Sequence, residues 1–448
     1  VTRSKGLSWQ KLLCMTVVAS ALAGCSSLSG LNPFGEKEEY LEGERKPVYQ
    51  TSINTAANAA KTAKIGKPSG GNSWVQAAGP HSNNPGNVSM NVTGAVVWRK
   101  AMGGGKLNVS GFGSAPPRAA ARPVSDGNRI YVYKQNGDLL ALNTGGGRVF
   151  SRSLRPADES DVAAGGGAAL DGGKVFVATA YRQLFALDSS GNQLWAVDLD
   201  VPVRGAPAAS KGVVILVNQD NEVQAYSQVD GALQWSFAGI SESAALLSSS
   251  NPAIVGNTAI IPFSSGEIAA IDIKSGEPKW IETVARSFRV RALSGLSDVS
   301  GSPVVAGNTV VATSVSGRTI AINMKSGERI WEADLGSVHT PVVSGSSVFL
   351  VGLDDTMRAL DLKTGALLWT AALPKGQKDK ASTNWAGPVL ANGKLVAISN
   401  KGVFASVDAK TGTLETTRNI STKVFVTPIV AGGRLIVLTG DGQVAALQ

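Results

Sequence analysis

Residue types that could do chemistry are scarce in this chain. Only two histidines, His81 and His339, and two cysteines, Cys14 and Cys25, stand among 448 residues. A histidine-rich metal centre is excluded by that count. Gly103-Gly104-Gly105-Lys106 is followed by Leu107, where a phosphate loop needs Ser or Thr, and no Gly-x-Ser-x-Gly elbow occurs. Gly165-Gly166-Gly167 precedes an expected strand rather than a helix, so it reads as a flexible connection and not as a phosphate cradle. Carboxylates fall mostly at repeated turn positions, and any acid–base pair would need assembly across distant segments. The residues predict no catalytic group, no metal site and no cofactor site.

Cys25 is the exception. Arg3, Lys5 and Lys11 make a basic start, Leu12–Ala21 is apolar, and Leu22-Ala23-Gly24-Cys25 matches a bacterial lipoprotein cleavage box. The apolar run is too short for a mature membrane span. Residues 1–24 therefore read as a signal peptide and Cys25 as the lipid-modified residue that follows it. Ser26 stands where Asp would signal retention in the inner membrane, which resembles sorting to the outer membrane. Several acyl chains would hold the chain there, facing the periplasm. With Cys14 lost and Cys25 acylated, no thiol is left for a disulfide.

The formal charge is +9, and removing the leader's three basic residues leaves about +6. The charges are scattered and no Lys/Arg run interleaves with aromatics, so a nucleic-acid face is not expected. Residues 26–93 lack repeats and are rich in Ala, Asn, Ser and Gly. They read mostly as a disordered tether, with Trp74 and Gly79–Asn91 as the parts that could pack on the folded body.

The elements are set by self-similarity. Eight copies of one cassette have leading strands near Pro123, Ala169, Pro207, Pro252, Pro303, Pro341, Pro388 and Pro428. Each copy closes on an aromatic residue: Phe150, Trp195, Trp235, Trp280, Trp331 or Trp369, with Thr416 in copy seven. Equivalent Trp residues from Trp195 onward are 38 to 51 residues apart, which suits blades of about four short strands. Asp-x-x-x-Gly turns such as Asp272–Gly276, Asp361–Gly365 and Asp408–Gly412 let a carboxylate cap the backbone while Gly takes positive φ. Copy eight lacks its closing strand, and the orphan segment Gly94–Arg99 carries the missing Trp98. The expectation is an all-β, eight-bladed β-propeller of four-stranded antiparallel blades over residues 94–448, closed by pairing of Val96–Trp98 with the last blade. The longest connections follow Trp98 and Trp280. The latter, with Arg286, Arg289 and Arg291, is the loop whose length best suits a protein contact.

The Ala-Leu-Asp, Thr-Gly and Trp signposts resemble the quinoprotein-type (PQQ-like) repeat. Together with the cleavage box, Val201-Pro202-Val203-Arg204-Gly205 and Leu296-Ser297-Asp298-Val299, they resemble the outer-membrane protein assembly factor BamB family. The resemblance implies a non-catalytic lipoprotein of the β-barrel assembly machinery. It would bind a periplasmic POTRA domain of the barrel subunit BamA, assist insertion of outer-membrane proteins and meet their unfolded chains. By the same resemblance Val201, Val203, Arg204 and Asp298 touch that partner, while Ser300 replaces the family's second acidic residue. Alternatives are a PQQ-dependent dehydrogenase and a glycan-binding periplasmic propeller.

Overall fold

The structure, a computed structural model, describes residues 61–103, 107–109, 113–115, 121–159, 163, 165–240, 250–285, 299–374 and 383–448. Cys25 and Asp298 lie outside the described residues, as do Arg286, Arg289 and Arg291.

Eight four-stranded antiparallel sheets follow one another as the blades of a β-propeller. Blade one spans Val124–Ser125, Arg129–Tyr133, Asp138–Asn143 and Arg148–Ser153, and blades two to seven repeat the order up to Leu414–Asn419. Blade eight takes its inner three strands from Ile429–Ala431, Arg434–Leu438 and Gln443–Leu447 and its outer strand from Val96–Ala101. The closure expected from the orphan tryptophan is observed. Val96 pairs with Leu447 and Trp98 with Ala446, and the backbones of Ala95 and Gln448 exchange hydrogen bonds of 3.0 and 2.9 Å.

Burial explains the strand pattern. The second and third strands of each blade are apolar on both faces, as in Ile130–Tyr133 and Leu139–Leu142, because a neighbouring blade covers each side. Outer strands such as Arg148–Ser153, Gln193–Asp198 and Pro278–Thr283 mix exposed and half-buried residues, since only one of their faces meets the next blade. The core is accordingly divided into clusters shared between successive blades. One joins Ile260 to Val310 across blades four and five, and the next joins Val311 to Val348 across five and six.

One contact recurs around the ring. The closing aromatic residue sits opposite a small residue of the third strand: Ala186 faces Trp195, Ala270 faces Trp280, Ala321 faces Trp331 and Ala446 faces Trp98. Its indole then reaches the next blade and donates Nε1–H to a turn carbonyl. Trp98 bonds Thr144 O (3.1 Å), Trp235 bonds Ile273 O (2.9 Å), Trp280 bonds Met324 O (2.8 Å) and Trp369 bonds Ala409 O (3.1 Å). The ring also lies on the turn glycine. At Gly327, with φ +75°, a Cβ would stand 2.5 Å from Trp280, so both the backbone and the packing demand glycine. Phe150 has no N–H to give. The equivalent carbonyl, Ser189 O, is taken instead by Arg129 Nη1. The turn carboxylates cap as expected: Asp272 Oδ1 accepts from Lys274 N (3.0 Å) and Ser275 N (3.3 Å). Those amides, led by Lys274, hold the Asp272 carboxyl down at about 2.

Of the stretch 25–93 that the sequence suggests is mostly tether, residues 61–93 are described. Residues 61–92 lie against the ring as a strap with little regular structure, and the amides of the inner strands bond to it. Leu170 N donates to Val75 O (2.8 Å), Ile254 N to His81 O (2.7 Å), Val305 N to Ser82 O (2.9 Å) and Val343 N to Asn84 Oδ1 (3.1 Å). Trp74 bridges Ser125 of blade one, Val88 bridges Ala391 of blade seven, and Gly432 N of blade eight donates to Asn72 O. The innermost strands would otherwise present free edges to the axis, and the strap satisfies those of blades one, two and four to eight. Gln76 and Asn83 are fully buried there, and Asn83 Nδ2 donates to Asn251 O (3.1 Å) and Pro303 O (3.0 Å).

Closure predicts a graded response at Trp98. Trp98→Ala removes the indole that covers Gly146 and is expected to cost about 3 kcal/mol, whereas Trp98→Phe loses only the bond to Thr144, about 1 kcal/mol. Urea unfolding of both variants checks the order; equal midpoints for parent and Trp98→Ala would refute the role of closure.

Candidate partner-binding face

The residues that join the outer strand of one blade to the inner strand of the next follow one spacing. Val203, Val299 and Val424 each precede the strand-opening proline by four positions (Pro207, Pro303, Pro428), and each is fully buried. Val203 also pairs with Asn218 and Val424 with Thr439 as isolated bridges. Val203, expected from the sequence to touch a partner, has its side chain packed with Phe176, Leu199 and Leu216 between blades two and three. Its place in the repeat is the signal that could have shown this.

Arg204 is only 4% exposed, and its amide donates to Val217 O at 3.0 Å. Val201 and Pro202 are half-buried, and Pro202 O accepts from Gln219 N at 2.9 Å. Gln219 and Asp220 of the adjoining turn are exposed. The motif therefore divides: Val203 and Arg204 are buried and fix the loop, while Val201 and Pro202 with Gln219 and Asp220 form what a partner can reach. The neighbouring glycine run belongs to the same frame. A Cβ on Gly165 would stand 2.6 Å from Val203 O, one on Gly166 would stand 2.3 Å from Ala178 O, and one on Gly167 would stand 2.6 Å from Ala206 Cβ. These glycines are there for close approach to packed backbone, where the sequence suggested a flexible connection.

Across the expected contact pair, Asp298 is outside the described residues, but the two residues that follow are within them. Val299 is fully buried with its amide toward Phe263 O (3.4 Å), and Ser300 is half-buried. The structure thus gives Ser300 no large exposed surface.

Sequence reasoning missed an apolar patch on the connections of blades six to eight. Phe425 is 54% exposed, Leu353 51% and Val338 44%, and they rim a cavity of about 310 Å³ whose wall includes His339, Trp385 and Val424. Phe425 holds the repeat position that Arg204 and Ser300 hold elsewhere, so the register of the repeats carried the signal. His339 lies in the mouth of the axis, with Nδ1 3.3 Å from Thr427 Oγ1. Burial first, and the nearby Arg122 guanidinium second, hold the imidazole down at about 4. No group of three or more His, Cys, Asp or Glu able to hold a metal ion occurs among the described residues.

With this geometry in place, comparison with known proteins is informative. Residues 146–371 and 353–448 match the family described as outer membrane protein assembly factor BamB. The BamB of Salmonella typhimurium is 28% identical over 367 residues, which is 80% of this chain and 90% of that protein. The crystal structure of BamB from Moraxella catarrhalis superposes with a TM-score of 0.65 at 19% identity, covering 80% of this chain and all (100%) of that one. A europium-containing methanol dehydrogenase shares the fold at 14% identity and a TM-score of 0.63, covering 84% of this chain and 90% of that one.

The imidazole gives a pH prediction with a definite sign. His339 titrates at about 4 in the folded chain and near 6.5 when free. The unfolded chain therefore takes up this proton first as pH falls. The stability His339 confers is complete above about 6.5 and is lost progressively down to about 4. Thermal unfolding midpoints should drop across that window, and His339→Gln should flatten the slope; an unchanged slope would contradict the placement.

Proposed function

Because the chain belongs to the BamB family of outer membrane protein assembly factors, we propose that it is a non-catalytic scaffold of the β-barrel assembly machinery. Lipid-anchored through Cys25 to the outer membrane and facing the periplasm, it holds a POTRA domain of a BamA-like barrel subunit. In that pose it assists folding and insertion of outer-membrane proteins, with their unfolded chains as further contacts. The observation that carries the reading is the connection between blades two and three, which keeps the family's apolar-x-apolar-Arg-Gly order as Val201–Gly205.

The physical case rests on how that connection is held. Backbone bonds from Gln219 and Arg204, the buried Val203 and the close-packed glycines leave it little freedom. A loop already fixed in its bound form loses little entropy on docking, which favours affinity without a large interface. Val201 supplies apolar area, Asp298 supplies charge, and Arg204 supports the loop from within. A non-enzymatic role also agrees with the axis, where the chain's own Gln76 and Asn83 stand between the inner strands.

The test is capture of a purified POTRA fragment by the mature chain. Val201→Asp and Asp298→Arg are expected to weaken binding about tenfold each while leaving the unfolding midpoint unchanged. Arg204→Glu should lower both binding and midpoint, since it buries a carboxylate in the place of a packed guanidinium. Parent-like capture by both Val201→Asp and Asp298→Arg would remove the proposed face.

A further inference from the structure

The residue just before each strand-opening proline points the repeat toward the axis. At these positions stand Arg122, Ala206, Asn251, Ser302, Thr340, Gly387 and Thr427. Six of the seven are neutral and small or amide-bearing, and several are stitched together. Ser302 N donates to Thr340 Oγ1 (3.2 Å), Asn251 N donates to Ser302 Oγ (3.1 Å), and Asn251 Nδ2 donates to Asn83 Oδ1 of the strap (3.0 Å). Arg122 is the one cation in the set.

Arg122 is 8% exposed, and its Nη2 donates to Thr340 Oγ1 at 3.3 Å. A guanidinium carries five N–H donors and cannot shed its charge at neutral pH. Among the described residues no carboxylate lies within ion-pair distance of it; the ion pairs there are made by other cations. Buried cations are ordinarily paired, because leaving one without a counter-charge is costly. The charge is felt locally: it helps depress the His339 imidazole, and burial lowers Arg122 itself to about 10. Thr340 Oγ1 accepts from both Arg122 and Ser302 N, so its hydroxyl proton remains to be donated. A positive fork and a hydroxyl donor side by side make up half of an oxyanion site.

We propose that Arg122 and Thr340 form a binding site for a small oxyanion, a carboxylate or a phosphate, at the axial mouth of the propeller. The strap fills the axis with Gln76, Ala77 and Asn83, and the guanidinium shows little surface. A ligand must therefore be compact. The anion supplies the counter-charge that no described residue provides, and it accepts in-plane N–H bonds from the guanidinium. No part of this depends on the partner assigned above.

The chain's two histidines make the test specific. With the mature chain at constant ionic strength, phosphate and succinate are titrated separately against chloride, following the unfolding midpoint and the imidazole NMR signals, with His339 identified by comparison with His81→Gln. At least one oxyanion should raise the midpoint saturably and move the His339 titration upward, because it offsets the Arg122 charge; which one acts distinguishes carboxylate from phosphate. Arg122→Gln should lose both responses, be at least as stable as the parent without anion, and show an upward-shifted His339 by itself. Thr340→Val, which keeps the charge, should weaken binding several-fold and carries the test should Arg122→Gln fail to fold. The proposal is overturned if chloride acts equally, if neither oxyanion gives a saturable shift, or if the response survives in Arg122→Gln.

Discussion

The indole that leaves one blade and lies on the turn of the next is the contact on which the rest of the structure depends. A single blade cannot bury both faces of its middle strands, so its stability is that of its interfaces. Trp195, Trp235, Trp280, Trp331 and Trp369 each bond across to the following blade, and Trp98 does the same across the seam where the chain closes on itself. The seam is therefore built with the same contact as the other joints. The small residue opposite each ring makes room for it, and the turn glycine lets it lie flat.

The one blade that departs from the pattern follows the same logic. Blade seven has Thr416 where others carry an aromatic, and Ser406 opposite it. The blade it faces has no turn between its third and fourth strands, because Gln443–Leu447 is followed in space by Val96–Ala101 from far earlier in sequence. Gly94, with φ +77°, stands just before that outer strand, and a Cβ on it would lie 2.8 Å from the ring of Phe404 in the third strand of blade seven. An aromatic side chain of blade seven thus still lies on a glycine of blade eight, although it comes from the third strand and not from the fourth.

These regularities were legible in the sequence because they are local and periodic. Asp272, Gly276 and Trp280 mark turn, glycine and closing strand in one stretch, and Trp98 was recognisable as an unpaired copy of the same mark. What was not legible has no period. The strap of residues 61–92 is polar and small in composition, so it reads as disordered. Its order comes from the inner strands whose edges it satisfies, as at Ile254 and Val305. Of the proposed face, the sequence showed the motif and not its burial. Val203 and Arg204 are buried by contacts with Leu216 and Val217, residues of the next blade that sequence distance does not link to them. Phe425 was readable in principle by laying Val424-Phe425 over Val203-Arg204, but a repeat is usually read for what stays constant.

A closed wheel with a filled axis constrains how such a protein can act. Each blade is clamped by two neighbours, and most also by the strap, so a ligand at one connection cannot easily reshape another. What varies from blade to blade is the identity of the residue after the buried valine: Arg204, Ser300 or Phe425 on one scaffold position. At blade three that residue is buried and steadies a loop, and at blade eight it is exposed and apolar. The same frame therefore carries chemically distinct residues around one face, each at a fixed angle from the next. Such rigidity is in keeping with the scaffold role proposed above, because it keeps those positions defined.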